Sequence, residues 1–440
     1  MRRHHLSRLL AFVLLAALTA TACGSLTPES LAFAEEEPRP RRTVLRIATY
    51  TSDGLTAAVE QWEREHPTAE VIIDQREIDD HHSLILDGRA SVETPDIVVY
   101  DVDYSATVRN QTSLLVDLDN LGGREFEDRS LAWRWEQGVA DDGTLVGLPL
   151  DVGGLALVVR RDLLGPGVTA VFERGEADWC QLIALGDRYS DRTQRAFLPE
   201  AGDLFEAILN QAPVRFHNQD GRLIHSTNPA VQEAWDYTMG ALGERPLFED
   251  PCPDNEDILR ITANLPALSE EWKTALQSDE FAAVLAPASM LQTIQATAPA
   301  TLGQWRVVPV PRGGAGNSGG SHLAIHAESM HPDLAYNLIA HLTDPATQLR
   351  AFRDIGVFPA AESLYDDNQL VGYTTEFFGD SPIGQTYANS ASSFVAAPDG
   401  PEHQLILEEF RAGVTRVESG NQSPDDAWSE VLWRIELLLK

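Results

Sequence analysis

Residues 304–360 read QWRVVPVPRGGAGNSGGSHLAIHAESMHPDLAYNLIAHLTDPATQLRAFRDIGVFPA. This stretch joins a strand, a glycine-rich loop, a second strand and two capped helices. Trp305 to Val310 is an apolar, β-branched run, and Ser321 to His326 alternates polar and apolar residues, so both are expected to be strands. His331-Pro332-Asp333 then starts a helix: Pro suits the first helical position, where its missing N–H had no partner, and Asp333 complements the positive end of the helix dipole. Leu334, Ala335, Leu338, Ile339 and Leu342 follow on one face, which is expected to bury against a sheet. Asp344-Pro345 repeats the start signal for a helix carrying Leu349 and Phe352 and stopped by Gly356.

Upstream, Val44 to Thr49, Val71 to Ile73 and Asp96 to Tyr100 are apolar strand segments. Between them lie Leu55, Val59 and Trp62 at helical spacing, and a short helical segment over 82–89. Strand–helix–strand alternation builds a parallel sheet, and ligands bind beyond the carboxyl ends of its strands. Those ends carry Tyr50-Thr51-Ser52-Asp53 and Asp101-Val102-Asp103-Tyr104. Gly147-Leu148-Pro149-Leu150-Asp151-Val152-Gly153-Gly154 leads into the strand Leu155 to Arg160. From Val168 the chain turns helix-rich, with helices expected over 179–187, 203–211, 229–242 and 268–277 before a buried strand at 281–285. Residues 405–410 and 428–439 close the chain as amphipathic helices.

At the N-terminus Arg2, Arg3 and Arg8 precede an apolar run from Leu9 to Ala22, an export signal over residues 1–22 that is too short to span a bilayer. Ala20-Thr21-Ala22-Cys23-Gly24 looks like a bacterial lipobox, which makes Cys23 the lipidated first residue of the mature chain. Ordinary signal-peptidase cleavage with Cys23 incidental is the alternative, and Arg2-Arg3 leaves twin-arginine export open. Residues 23–43, rich in Pro, Glu and Arg, have little to bury and suit a tether. The formal net charge is −34, and removing residues 1–22, with three arginines and no acid, leaves −37. Such a chain repels nucleic acid and anionic lipid surfaces. With Cys23 assigned to the lipobox, Cys180 and Cys252 remain in an oxidising compartment and are expected to form a disulfide, the alternative being two separate buried thiols.

The order of these elements, the Pro-x-Asp-x-Gly turn at 149–153 before a strand and Arg161-Asp162-Leu163, and the glycine loop resemble the extracellular solute-binding proteins of sugar ABC importers. The resemblance covers Leu45 to the C-terminus. It implies an α/β, two-lobed periplasmic-binding-protein-like fold of the class II type with a ligand cleft between lobes, one lobe from 44–152 and 320–364, the other from 153–319 and 365–440. It also implies a non-catalytic, monomeric protein without cofactor. Such a protein, held at the extracellular face of the membrane by its lipid anchor, delivers a carbohydrate-like solute to the transmembrane subunits of an ABC permease. Asp101, Asp103 and Asp151 stand at strand ends or a lobe crossing, where a carboxylate can accept two sugar hydroxyls. Asp53 has two readings, ligand acceptor or helix cap. Tyr50 and Tyr104 either stack on the solute or pack. Ser52, Asn317 and Ser318 complete the expected walls. Relatives tend to carry Trp at the position of Ser289 and before the Gly-Gly of the crossing loop, where this chain has Ser318. Their absence favours a bulkier solute or binding led by hydrogen bonds.

Other chemistries fit less well. Neither lysine, Lys273 or Lys440, lies in a phosphate-binding loop pattern. Gly316-Asn317-Ser318-Gly319-Gly320 matches G-x-S-x-G, but a nucleophile elbow sits between a strand and a helix, whereas an alternating strand follows here. A secreted hydrolase using Ser318 or a carboxylate pair, and a ligand-sensing lipoprotein with no transport role, remain the alternatives. No metal-binding spacing occurs: His322 and His326 fall on a strand, and His81-His82 reads as a surface pair.

Overall fold

The computed structural model describes residues 42–52, 54–86, 94–245 and 258–440. The chain forms two lobes, each built on its own sheet. The first sheet contains β1 (Thr43–Thr49), β2 (Ala69–Gln75), β3 (Ile97–Asp101), β4 (Leu148–Pro149) and β8 (Ser321–Ile325) in the order β2-β1-β3-β8-β4. The second contains β5 (Leu155–Arg160), β6 (Ala283–Pro287) and β7 (Trp305–Pro309) in the order β6-β5-β7.

The strand–helix–strand reading holds for β1, β2 and β3, which pair in parallel. The rest of the first sheet is antiparallel, with β8 running against both β3 and β4. This register sets Asp101 beside Ser321, so the end of β3 meets the start of the returning strand. The second sheet is antiparallel throughout. Its central strand reads LALVVR without alternation because both faces are covered. Leu155, Leu157 and Val159 pack with Trp179, Phe205, Trp235 and Phe410, while Ala156 and Val158 pack with Trp272, Phe281, Phe352 and Tyr387.

The helix signals act as read. Pro332–Leu342 buries Ala335, Leu338, Ile339 and Leu342 against the first sheet. Pro345–Ile355 is capped by the Asp344 side chain, which accepts from the Ala346 N–H, and ends at Gly356 in the left-handed region, φ 80°. That glycine is required twice over, because a Cβ there would stand 2.9 Å from the Ala288 carbonyl oxygen. Leu349 and Phe352 of this helix join the cluster on the second sheet, not the first.

Two corrections concern the segment before β3. Its helix spans Ile78–Leu86, several residues earlier than the periodicity suggests. His81 and His82, read as a surface pair, are both fully buried on it. The reason is local pairing that periodicity cannot reveal. His81 Nε2 lies 2.5 Å from the Val99 carbonyl, and His82 bonds its own helix and the end of β3. Among the described residues no helix is long and apolar enough to cross a membrane.

Cys180, in a helix opened by a capping box between Asp178 and Gln181, is 1% exposed and disulfide-bonded. Cys252, its expected partner, lies outside the described residues, as does Cys23. We expect the denatured, unreduced mature domain to show no free thiol from this pair, and its reduction to cost about 2 to 5 kcal/mol of stability. Thiol titration and chemical denaturation with and without reductant check both, and two titratable thiols without reductant would exclude the bond.

Candidate functional site

Three segments pass side by side between the sheets. Residues 151–154 and 316–320 are joined by Ser318 N–H to the Gly153 carbonyl (2.6 Å), Gly153 N–H to the Gly319 carbonyl (3.2 Å) and Leu155 N–H to the Gly316 carbonyl (3.2 Å). Residues 357–361 form the third, through Val152 N–H to the Phe358 carbonyl (2.9 Å) and an antiparallel bridge of Asp151 with Pro359. The first two were legible as crossings. For the third, the expected lobe bounds implied only a passage at 364–365, a few residues later.

Beside these crossings lies a cavity of about 210 Å³ whose walls come from both sheets: Tyr50, Asp101 and Ser321 on one side, Pro287 and Ser289 on the other, with Asp151, Ser318 and Phe358 at the crossings. Ser52 instead lines an adjoining groove of about 560 Å³ between helices Leu55–Glu65 and Pro345–Ile355. Asp53 lies outside the described residues.

The polar floor is tightly built. Asp101 is 7% exposed. One of its carboxylate oxygens accepts from the Tyr50 hydroxyl (3.0 Å), the other from the Asp103 N–H (2.9 Å). The Tyr50 hydroxyl is also 2.7 Å from Ser321 Oγ. Burial, opposed by these bonds and by Arg134, raises the Asp101 carboxyl to about 6. Asp151 accepts the Ser321 N–H with its carboxylate, and its backbone carbonyl accepts from Arg134 Nε (3.1 Å). Ser289 is exposed at the start of helix Met290–Thr297. Asn317 is turned inward, 5% exposed, its amide donating to the Gly319 carbonyl at 2.9 Å. Ser318 stands between a backbone bridge and β8, with no helix following it.

Tyr104 is occupied by packing: its ring stacks on His82 at 3.7 Å between centroids, and its hydroxyl donates to Asp79 (3.0 Å). His82 is held neutral. Its Nδ1–H donates to the Ile78 carbonyl (2.7 Å) while Nε2 accepts from the Asp101 N–H (3.0 Å). Burial therefore lowers it to about 3. A base lowered in the folded state contributes stability that is complete above its unfolded value, about 6.5, and lost as pH falls toward 3. The stability gap between the wild type and His82→Gln should accordingly narrow across that window. Urea unfolding midpoints of both proteins read it, and a constant gap would refute the neutral assignment.

Asp103 lies two residues beyond the end of β3. Partly exposed, it makes no side-chain hydrogen bond or ion pair among the described residues. Burial, and then the Asp101 and Glu206 charges, raise its carboxyl well above the usual range against the pull of Arg215 and Arg411. Those arginines come from the second lobe. Arg411 holds Glu206 (2.5 Å) and Asp203 (3.3 Å), and Arg215 Nη1 donates to Asn210 Oδ1. Asn210 in turn donates to the Asn317 carbonyl at 2.9 Å. Arg109 Nη2 meets Asp399 Oδ1 at 2.6 Å, tying the segment after β3 to the loop before helix His403–Glu418. Sequence reading missed Arg134, Arg215 and Arg411. Only for Arg134 was there a signal, a lone charge between Trp133 and Trp135.

A profile described as bacterial extracellular solute-binding protein matches residues 57–376. The chain belongs to that family. A solved structure described as an extracellular solute-binding protein of family 1 is 27% identical, with a TM-score of 0.76 over 90% of this chain and 99% of that one. Two further structures share the fold of this solute-binding protein. The ABC transporter associated binding protein of B. animalis subsp. lactis, in complex with β-1,6-galactobiose, is 17% identical with a TM-score of 0.71, over 90% of this chain and 97% of that one. The sugar-binding protein MalE of Xanthomonas citri is 19% identical with a TM-score of 0.70, also over 90% and 97%. No curated protein matches the chain.

Proposed function

We propose that this protein captures a carbohydrate-like solute between its lobes and delivers it to the transmembrane subunits of an ABC permease. It does so as a monomer, lipid-anchored through Cys23 at the extracellular face of the membrane, with no catalysis and no cofactor of its own. The observation that carries the reading is the cavity at the crossings: two sheets supply its walls, and it is floored by carboxylates and hydroxyls suited to accept and donate to sugar hydroxyls. The lobe division is part of the same proposal. We assign 44–152 with 320–364 to one lobe and 153–319 with 365–440 to the other, the helix Pro345–Ile355 lying where the two meet.

Ligand contacts to both walls exist together only when the lobes are closed, so binding favours closure. The sugars named with structurally similar proteins support the solute class. Tyr50 and Phe358 are the aromatic rings in the 210 Å³ cavity, and the Tyr50 hydroxyl is already bonded. Recognition is therefore led by hydrogen bonds.

The test is mass spectrometry of solute released from protein purified under native conditions, followed by calorimetry with maltose and β-1,6-galactobiose as probes. A hexose-containing ligand, or binding of either probe, is expected. A protein that releases no carbohydrate, binds neither probe and turns over a glycoside or ester in a manner abolished by Ser318→Ala would replace this reading with a hydrolase.

A further inference from the structure

Arg134 sits on the short helix Ala132–Glu136 and is fully buried. A buried guanidinium loses its hydration and persists only where the protein replaces it with partners. Here Nε donates to the Asp151 carbonyl (3.1 Å), Nη2 to the Ser321 carbonyl (2.8 Å) and Nη1 to Gln137 Oε1 (2.7 Å). The first of these carbonyls lies in the first crossing, the second at the start of β8, directly after the glycine loop. The Ser321 carbonyl also accepts the Leu150 N–H at 2.9 Å, so one atom ties three pieces of chain together. The space is made by Gly320, at φ +122°. A Cβ there would come within 3.1 Å of Arg134 Nη2 and 3.2 Å of the Asp151 carbonyl oxygen.

The same cation lies beside the cavity, because Asp151 and Ser321, whose carbonyls it holds, both line it, and Asp151 and Asp101 are the charges that act on it most strongly. We propose that Arg134 is the positioning residue of the cleft: its planar fork pins the first crossing to the start of β8 and sets its positive charge beside the cavity carboxylates. The inference rests on the reading of this cavity as the solute site. A planar fork can bridge two carbonyls at fixed spacing, whereas an ammonium would supply the charge without that geometry. The groups that set the charge state of Asp101 are Arg134 from one element, Tyr50 from β1, Asp103 beyond β3 and Asp151 at the first crossing, with the neutral His82 at its N–H.

The experiment needs no solute, so its outcome is separate from that of the functional reading. Carboxyl ¹³C NMR of aspartate-labelled protein, with Asp101 assigned through Asp101→Asn, follows the titration in the wild type, Arg134→Met and Arg134→Lys. Wild-type Asp101 should titrate near 6. Arg134→Met should move that midpoint upward by about one to three units, the size of effect a nearby opposite charge exerts. Arg134→Lys should leave it within about half a unit. Amide hydrogen exchange at Leu150 and Ser321 should quicken by about tenfold or more in both variants, because neither keeps the fork. If Arg134→Met does not fold, Arg134→Gln, which is neutral but keeps an amide donor, carries the charge arm. An unmoved Asp101 midpoint without the arginine would overturn the electrostatic role, and wild-type protection at both amides in Arg134→Lys would overturn the pinning role.

Discussion

Asp151→Ala should weaken solute binding by about 10- to 150-fold, corresponding to about 1.5 to 3 kcal/mol for a charge-assisted acceptor lost from a closing, partly dehydrated site. Asp151 lines the cavity at the first crossing and is within reach of both walls. Its carboxylate also accepts the Ser321 N–H, a contact that joins the start of β8 to the crossing. Truncation therefore carries a second effect that the sequence did not foretell: a stability loss of about 1 to 3 kcal/mol from an N–H left without its partner. Asp151→Asn keeps an acceptor for Ser321 and should restore most of the stability but little of the affinity. Calorimetry with the copurified solute and urea denaturation separate the two effects. Unchanged affinity in a folded Asp151→Ala protein would remove this residue from the site.

Gly153→Ala should destabilise the protein by about 3 kcal/mol, at the upper end of what overpacking costs. The Cβ would be built 2.1 Å from the Ser318 carbonyl oxygen and 2.8 Å from that of Gly319. These are backbone atoms, held by reciprocal hydrogen bonds between the two crossings, and cannot swing aside as a side chain would. The strands must part, which loosens the cavity wall and should lower solute affinity as well. Gly167→Ala is the control. Exposed in helix Pro166–Glu173 with nothing within 4 Å of its Cβ, it should gain about 0.5 to 1 kcal/mol. Equal stability of the two variants would show that the crossings are not closely packed.

Much of the candidate site was legible, and for a common reason. Tyr50, Asp101 and Asp151 stand at the ends of apolar runs, and a parallel strand–helix–strand unit puts such ends at one edge of a sheet. Ser289 and Ser318 were placed by the resemblance, as positions where relatives tend to carry Trp, and the cavity includes both. Tyr104 illustrates the limit. Its position beyond β3 is a strand-end position, yet its ring lies on His82, because a helix from 22 residues earlier delivers that imidazole to the end of the strand. The lobe-spanning arginines were invisible. Arg215, on a loop, and Arg411, on helix His403–Glu418, look like ordinary surface charges until the fold brings them near enough for their charges to act on Asp103.

The sequence by itself determined, beside the two-lobed class that the resemblance implied, where strands and helices begin and end in most of the chain and where the glycine loop lies. These depend on periodicity, caps and turn residues within a few positions of one another. Only the tertiary structure decided that β8 returns antiparallel between β3 and β4, that the third crossing runs through residues 357–361, and that His81, His82 and Arg134 are buried. Each of these depends on partners far apart along the chain: Arg134 on Ser321, 187 residues away, and Asp151 on the same residue, 170 residues away. A polar side chain is buried when distant backbone supplies the bonds that water would otherwise make, and no local pattern of residues records that supply.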